Sequence, residues 1–137
     1  MGAWIAVTGQ FAPEPFWLVL AVLSWVGGFD VLYSCQDVAF DTSENLHSIP
    51  RRFGIPKALA ISSALHLVTL ASLIGFGLAI GLGTVYWATI AIIGGILIWE
   101  HTIVKPNDLS RIGVAFFTLN GVISILLYLG VLIDTAH

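Results

Sequence analysis

The chain has 137 residues, of which 58% are hydrophobic and only 9% charged, with a formal net charge of −3. Its mean hydropathy of +0.96 excludes an ordinary water-soluble domain. The single cysteine, Cys35, excludes an internal disulfide framework. The charges are too local for the net value to identify partners, and no nucleic-acid partner is expected.

Residues 1–8 are apolar but too short to span a bilayer, and they lack the basic start and cleavage site of a signal peptide. They read as the tail of a helix whose beginning is missing. Pro13 and Pro15 mark a short turn. Four apolar runs then follow, roughly 16–36, 58–80, 85–104 and 112–133, each long enough to cross a hydrocarbon core of about 30 Å. The expected fold is all-α: a polytopic membrane bundle of four full transmembrane helices plus an N-terminal helix stub. No internal repeat or soluble domain is visible.

All five basic residues, Arg51, Arg52, Lys57, Lys105 and Arg111, fall in or beside the segments 37–57 and 104–111. Alternate connections lie on one side, and the positive-inside rule assigns that side to the cytoplasm. The segment 42–56 is a long polar loop in which Pro50, Gly54 and Pro56 interrupt any continuous helix. A lid or substrate-gripping role is the preferred reading. Gly81 and Gly83 form a tight connection between the second and third helices.

The most informative stretch is Asp30-Val31-Leu32-Tyr33-Ser34-Cys35-Gln36-Asp37-Val38-Ala39-Phe40-Asp41, where an apolar run gives way to polar residues. On a continuous helix Asp30, Tyr33, Asp37 and Asp41 share a sector of roughly 80°. Asp37 and Asp41, four apart, can grip one cation. Magnesium takes one or two carboxylates, with water and substrate phosphates completing its shell. Arg51, Arg52 and Lys57 can neutralise further phosphate oxygens, and Tyr33 can donate a hydrogen bond. The candidate site is therefore half of a metal–diphosphate site: Asp37 and Asp41 for Mg2+, and Tyr33, Arg51, Arg52 and Lys57 for diphosphate.

Simpler readings compete with this one. The aspartates could cap a helix or sit solvated at the interface, and the arginines could serve topology alone. Asp30 lies deeper, where an ionised group is costly, and is expected to hold Tyr33 or a cation rather than metal. His66, mid-membrane, is expected to pack or hydrogen-bond. Glu100 and His101, near the same face as the aspartates, are candidates for a supporting or acceptor-binding role. Cys35 is expected to be a buried small apolar residue.

The run D-V-L-Y-S-C-Q-D-V-A-F-D, then L-H-S-I-P-R-R-F-G, resembles the second aspartate-rich motif of UbiA-type intramembrane aromatic prenyltransferases. The later W-E-H-T-I-V-K-P-N-D-L-S-R and A-F-F-T-L-N-G are similar to the branch that prenylates 4-hydroxybenzoate. The resemblance implies a fold of nine helices around a cavity open to the cytoplasm and to lipid, in which two facing aspartate motifs hold Mg2+ and a polyprenyl diphosphate. Asp37 and Asp41 match the metal-binding aspartates, Asp30 and Tyr33 the positions upstream, and Ser48, Ile49, Pro50 and Gly54 the following loop. The first motif, N-D-x-x-D-x-x-x-D, is absent from these residues. Residues 1–137 therefore look like the C-terminal part of one such domain, with an N-terminal half either truncated away or supplied by another polypeptide.

The implied activity is transfer of a polyprenyl group to an aromatic acid in quinone biosynthesis, at the inner membrane with the site loops cytoplasmic. A naphthoate-type acceptor, an inactive fragment and a non-enzymatic cation-binding membrane protein remain as alternatives. A half-bundle of this kind is expected to be poorly folded or self-associating alone.

Overall fold

The computed structural model describes residues 1–136, and the described residues are helical apart from turns and one isolated bridge between Lys105 and Asp108. The stub is α1, Gly2–Thr8. The spanning helices are α2 (Pro15–Ser34), α5 (Ile55–Ile80), α6 (Thr84–Ile103) and α7 (Asn120–Thr135). A π-helical turn, Val114–Leu119, extends the last of these to a 22-residue span, Val114–Thr135. Two short helices, α3 (Val38–Ser43) and α4 (Ile49–Phe53), lie between α2 and α5.

Two expectations need correction. The aspartate stretch 30–41 does not lie on one continuous helix, because α2 stops at Ser34. Cys35, Gln36 and Asp37 each donate to the carbonyl three residues back, at 3.2, 3.0 and 3.1 Å, so the helix tightens and α3 restarts after it. The stretch 42–56 is not continuous loop either. Ser48 accepts from the Arg51 N–H at 3.4 Å and caps α4, while Pro50 and Pro56 occupy the first turns of α4 and α5, where their missing N–H costs nothing. Gly54 separates the two with φ 83° and ψ 154°, a conformation essentially reserved for glycine.

Helices α2 and α5 form the main seam. Gly28 presents no side chain, and a methyl there would overlap the His66 ring. The resulting closeness lets Ser62 donate to the Gly28 carbonyl at 2.8 Å, while Ser24 and Thr69 share a hydrogen bond of 2.9 Å. In lipid, apolar burial adds little to helix pairing, so close packing of small residues and such bonds do the joining. A second apolar cluster, including Leu32, Cys35, Ala58, Ile112 and Ala115, closes the basic-loop end of the bundle. Cys35 is 1% exposed there, as expected of a small apolar residue.

The opposite end is tied by Asp134 of α7. Its carboxylate accepts from the backbone N–H groups of Gly83, Val85 (3.1 Å) and Tyr86 (3.4 Å), satisfying donors that the start of α6 leaves free. We expect Asp134→Ala to cost about 1 kcal/mol, read as a lower unfolding midpoint in detergent, with Asp134→Asn recovering part of it. Equal midpoints for Asp134→Ala and wild type would contradict the cap.

Candidate metal–diphosphate site

Asp37 begins α3 and Asp41 lies within it, and the Asp41 N–H donates to the Asp37 carbonyl at 2.8 Å. The helical register assumed from their spacing therefore holds locally, although α2 does not continue into it. Asp37 is exposed and Asp41 is 9% exposed. Asp37 makes no side-chain cap, so helix capping does not account for it. Among the described residues neither carboxylate pairs with a lysine or arginine. Both remain available to an external cation.

Asp30 is exposed on α2 beside Trp25, Phe29, Phe116 and Asn120, in a cleft of ≈ 260 Å³. Among the described residues it pairs with neither Tyr33 nor a cationic side chain. The Tyr33 ring instead packs on Phe116, with centroids 4.5 Å apart, and meets Phe117 edge-on at 6.3 Å.

The cations lie in the following segment. Helix α4, which carries Arg51 and Arg52, packs against α2, α3 and α5. Arg51 is engaged structurally, since its guanidinium donates to the Leu46 carbonyl and to Asn45 Oδ1 at 2.7 Å. That grip fixes the loop, which turns through Asn45 at φ 55°. Arg52 is exposed, its guanidinium 5.3 Å from the Phe53 ring centroid, and Lys57 is exposed at the first turn of α5. A cleft of ≈ 580 Å³ is lined by His47, Ser48, Arg51 and Arg52 among others, but not by the aspartates. The structure thus separates the acidic turn from the basic cleft while keeping their helices in contact. In the neighbouring loop, Ser110 donates to Asp108 from its hydroxyl (2.6 Å) and backbone N–H (3.1 Å), which holds that carboxyl below its usual range.

Glu100 and His101 do not make their side-chain contacts with the aspartate turn. They meet α5 instead, where His101 contacts Ser63 and His66, and Glu100 lies 4.0 Å from His66. Read along the chain, Glu100 and His101 share a supporting role and His66 has a packing role of its own, so the grouping of the three is missed. A signal is present nonetheless: His66 lies 16 residues before Leu82 and Glu100 lies 18 after it, so a hairpin turning at Leu82 sets them opposite each other.

These features define a helical integral membrane protein with an unpaired acidic turn at the basic end of its bundle. The model of the UbiA prenyltransferase family matches residues 1–122, and the chain belongs to that family. Relatives include two proteins named 4-hydroxybenzoate octaprenyltransferase. The one from Nitrosomonas eutropha is 27% identical over 133 residues, covering 97% of this chain and 46% of its own length. The one from Vibrio parahaemolyticus is 28% identical over 132 residues, covering 96% and 45%. The apo structure of a UbiA homolog from Aeropyrum pernix K1 superposes with a TM-score of 0.76 at 35% identity, over 88% of this chain and 42% of that one. The chain thus spans less than half the length of the relatives it matches.

Arg51→Ala removes both anchors of the 45–46 segment, so limited proteolysis between α3 and α4 should accelerate several-fold while overall helicity is kept. An unchanged cleavage rate would show that the loop is held by other means.

Proposed function

We propose that this chain supplies the second metal–diphosphate half-site of a prenyltransferase that moves a polyprenyl group from its diphosphate to an aromatic acid of the 4-hydroxybenzoate kind. The observation that carries this reading is the pair of carboxylates, Asp37 and Asp41, one helical turn apart, with no internal cation beside them. Family membership and the names of the two relatives support the reaction class and the acceptor.

The donor set fits Mg2+, since two carboxylate groups, one exposed and one buried, offer only hard oxygen atoms. When bound there, Mg2+ supplies charge to the leaving diphosphate. Arg52 and Lys57, exposed and without ion-pair partners among the described residues, can reach phosphate oxygens. Arg51 contributes by holding the loop that carries the basic cleft, and can lend a remaining N–H to phosphate. Tyr33, packed on Phe116, presents an aromatic wall beside the acidic turn. The apolar helices keep water from the allylic cation until the electron-rich ring attacks and loses a proton.

Residues 1–137 act in this reading as the C-terminal part of one domain, with the first aspartate motif coming from a complementary segment, in the same polypeptide or a separate one. The site loops face the cytoplasm at the inner membrane, following the distribution of arginine and lysine. A transport role is less well supported, because the aspartates lie beyond the end of α2, whereas transporter sites sit near the midplane.

The test is prenyl transfer in membranes containing this chain and a complementary segment, with labelled polyprenyl diphosphate and either 4-hydroxybenzoate or a naphthoate acceptor. We expect magnesium-dependent transfer to 4-hydroxybenzoate that falls by about 100-fold or more in Asp37→Ala and Asp41→Ala. Full activity in Asp37→Ala would falsify the site assignment, and faster transfer to the naphthoate would replace the acceptor.

A further inference from the structure

The group formed by His66, Glu100 and His101 lies outside the aspartate site and has a chemistry of its own. His66 projects from α5, and Glu100 and His101 from the last turn of α6. His66 is 2% exposed and Glu100 fully buried. Each residue offers one ligand atom, and the three atoms lie within 4.8 Å of one another.

The hydrogen bonds fix how this group is set up. Ser63 Oγ donates its only proton to the Leu59 carbonyl at 3.0 Å. It must therefore accept at its other contact, from His101 Nδ1–H at 3.1 Å. A neutral His101 then carries its lone pair on Nε2. That atom faces His66 Nδ1 at 3.0 Å, and Glu100 Oε2 lies 4.0 Å from the same Nδ1. Among the described residues both Glu100 carboxylate oxygens are buried without a hydrogen-bond partner. A buried carboxylate left in that state is expensive, and such an orphan calls for a proton or a cation.

We propose that His66, Glu100 and His101 bind a borderline divalent cation such as Zn2+, separately from the aspartate pair. Two imidazoles and one carboxylate are a donor set suited to this ion, with bonds near 2.0–2.2 Å and ligand separations of roughly 3.4 Å. The 3.0 and 4.0 Å distances from His66 Nδ1 lie on either side of that separation, and all three ligand atoms fall within 4.8 Å of one another, so side-chain shifts on the order of an ångström close the shell. Ser63 acts as the outer partner that metal-bound histidines normally have, fixing ring orientation and tautomer. Gly28 leaves room for the His66 ring on the α2 side, and Phe29 packs against it at a 60° tilt with centroids 4.6 Å apart. His66 and His101 also border a largely apolar pocket with Ser63, Leu67, Ile98 and Thr102, the side from which a fourth ligand would arrive. The bound ion would clamp the α5–α6 hairpin beside α2. Binding of this kind does not depend on prenyl transfer.

The experiment adds Co2+ to the purified full chain in lipid nanodiscs and follows its visible absorption, with Zn2+ as competitor. We expect one tight equivalent with the intense bands of a four-coordinate ion, displaced by Zn2+. The bands should persist when Asp37 and Asp41 are both alanine and vanish in Glu100→Gln and His101→Ala. Ser63→Ala should weaken affinity about 10- to 100-fold. A chain that is helical by circular dichroism yet yields no such bands overturns the proposal, as do bands that survive His101→Ala. Should the triad variants lose helicity, X-ray absorption of the wild-type complex decides: two imidazole nitrogens support the site, and an all-oxygen shell overturns it.

Discussion

The close approach of α2 and α5 at Gly28 is the constraint that organises the bundle. Within a bilayer the two helices gain little from apolar burial, so they meet where a residue without a side chain lets backbone, hydroxyl and ring come together. The Ser62 bond to the Gly28 carbonyl and the Ser24–Thr69 bond then lock their register. That register determines where α2 ends and α5 begins, hence where the acidic turn and the basic segment between them emerge. It also sets the His66 ring against α2, with Glu100 and His101 arriving from α6. One packing decision thus positions two chemically different groups.

Polar groups in this molecule follow the cost of leaving water. Several hydroxyls within the helices return their protons to carbonyls one turn back, as Ser72 does to Val68 (2.7 Å) and Thr89 to Val85 (2.9 Å). Tyr86 bonds the Leu73 carbonyl at 2.7 Å across the α5–α6 hairpin. Against that background, Glu100 stands out because its oxygens are not satisfied in the same way. Asp37 and Asp41 differ again: they lie beyond the end of α2, Asp37 exposed and Asp41 buried, and among the described residues neither pairs with a lysine or arginine.

Much of the architecture is legible in the sequence because hydrophobic length is a strong signal in a membrane chain. The four spans, the stub and the tight turn at Gly81–Gly83 follow from it. Boundaries are missed for identifiable reasons. Pro56 reads as a breaker, yet it opens α5, which begins at Ile55. The tightening at Cys35–Asp37 and the π-helical turn at Val114–Leu119 carry no compositional mark. The aspartate spacing is readable since it depends on neighbours in sequence. The histidine–glutamate group is not, because it needs the register of two helices, although counting outward from Leu82 puts its members opposite each other.

Whether Asp37 and Asp41 grip a magnesium-bound diphosphate can be measured without waiting for turnover. A labelled short prenyl diphosphate is bound to membranes carrying this chain with its complementary segment, with and without Mg2+. We expect binding that requires Mg2+ and is lost when both aspartates are changed to asparagine, with the helical content unchanged. Magnesium-independent binding, or binding that survives the double substitution, would contradict the assignment.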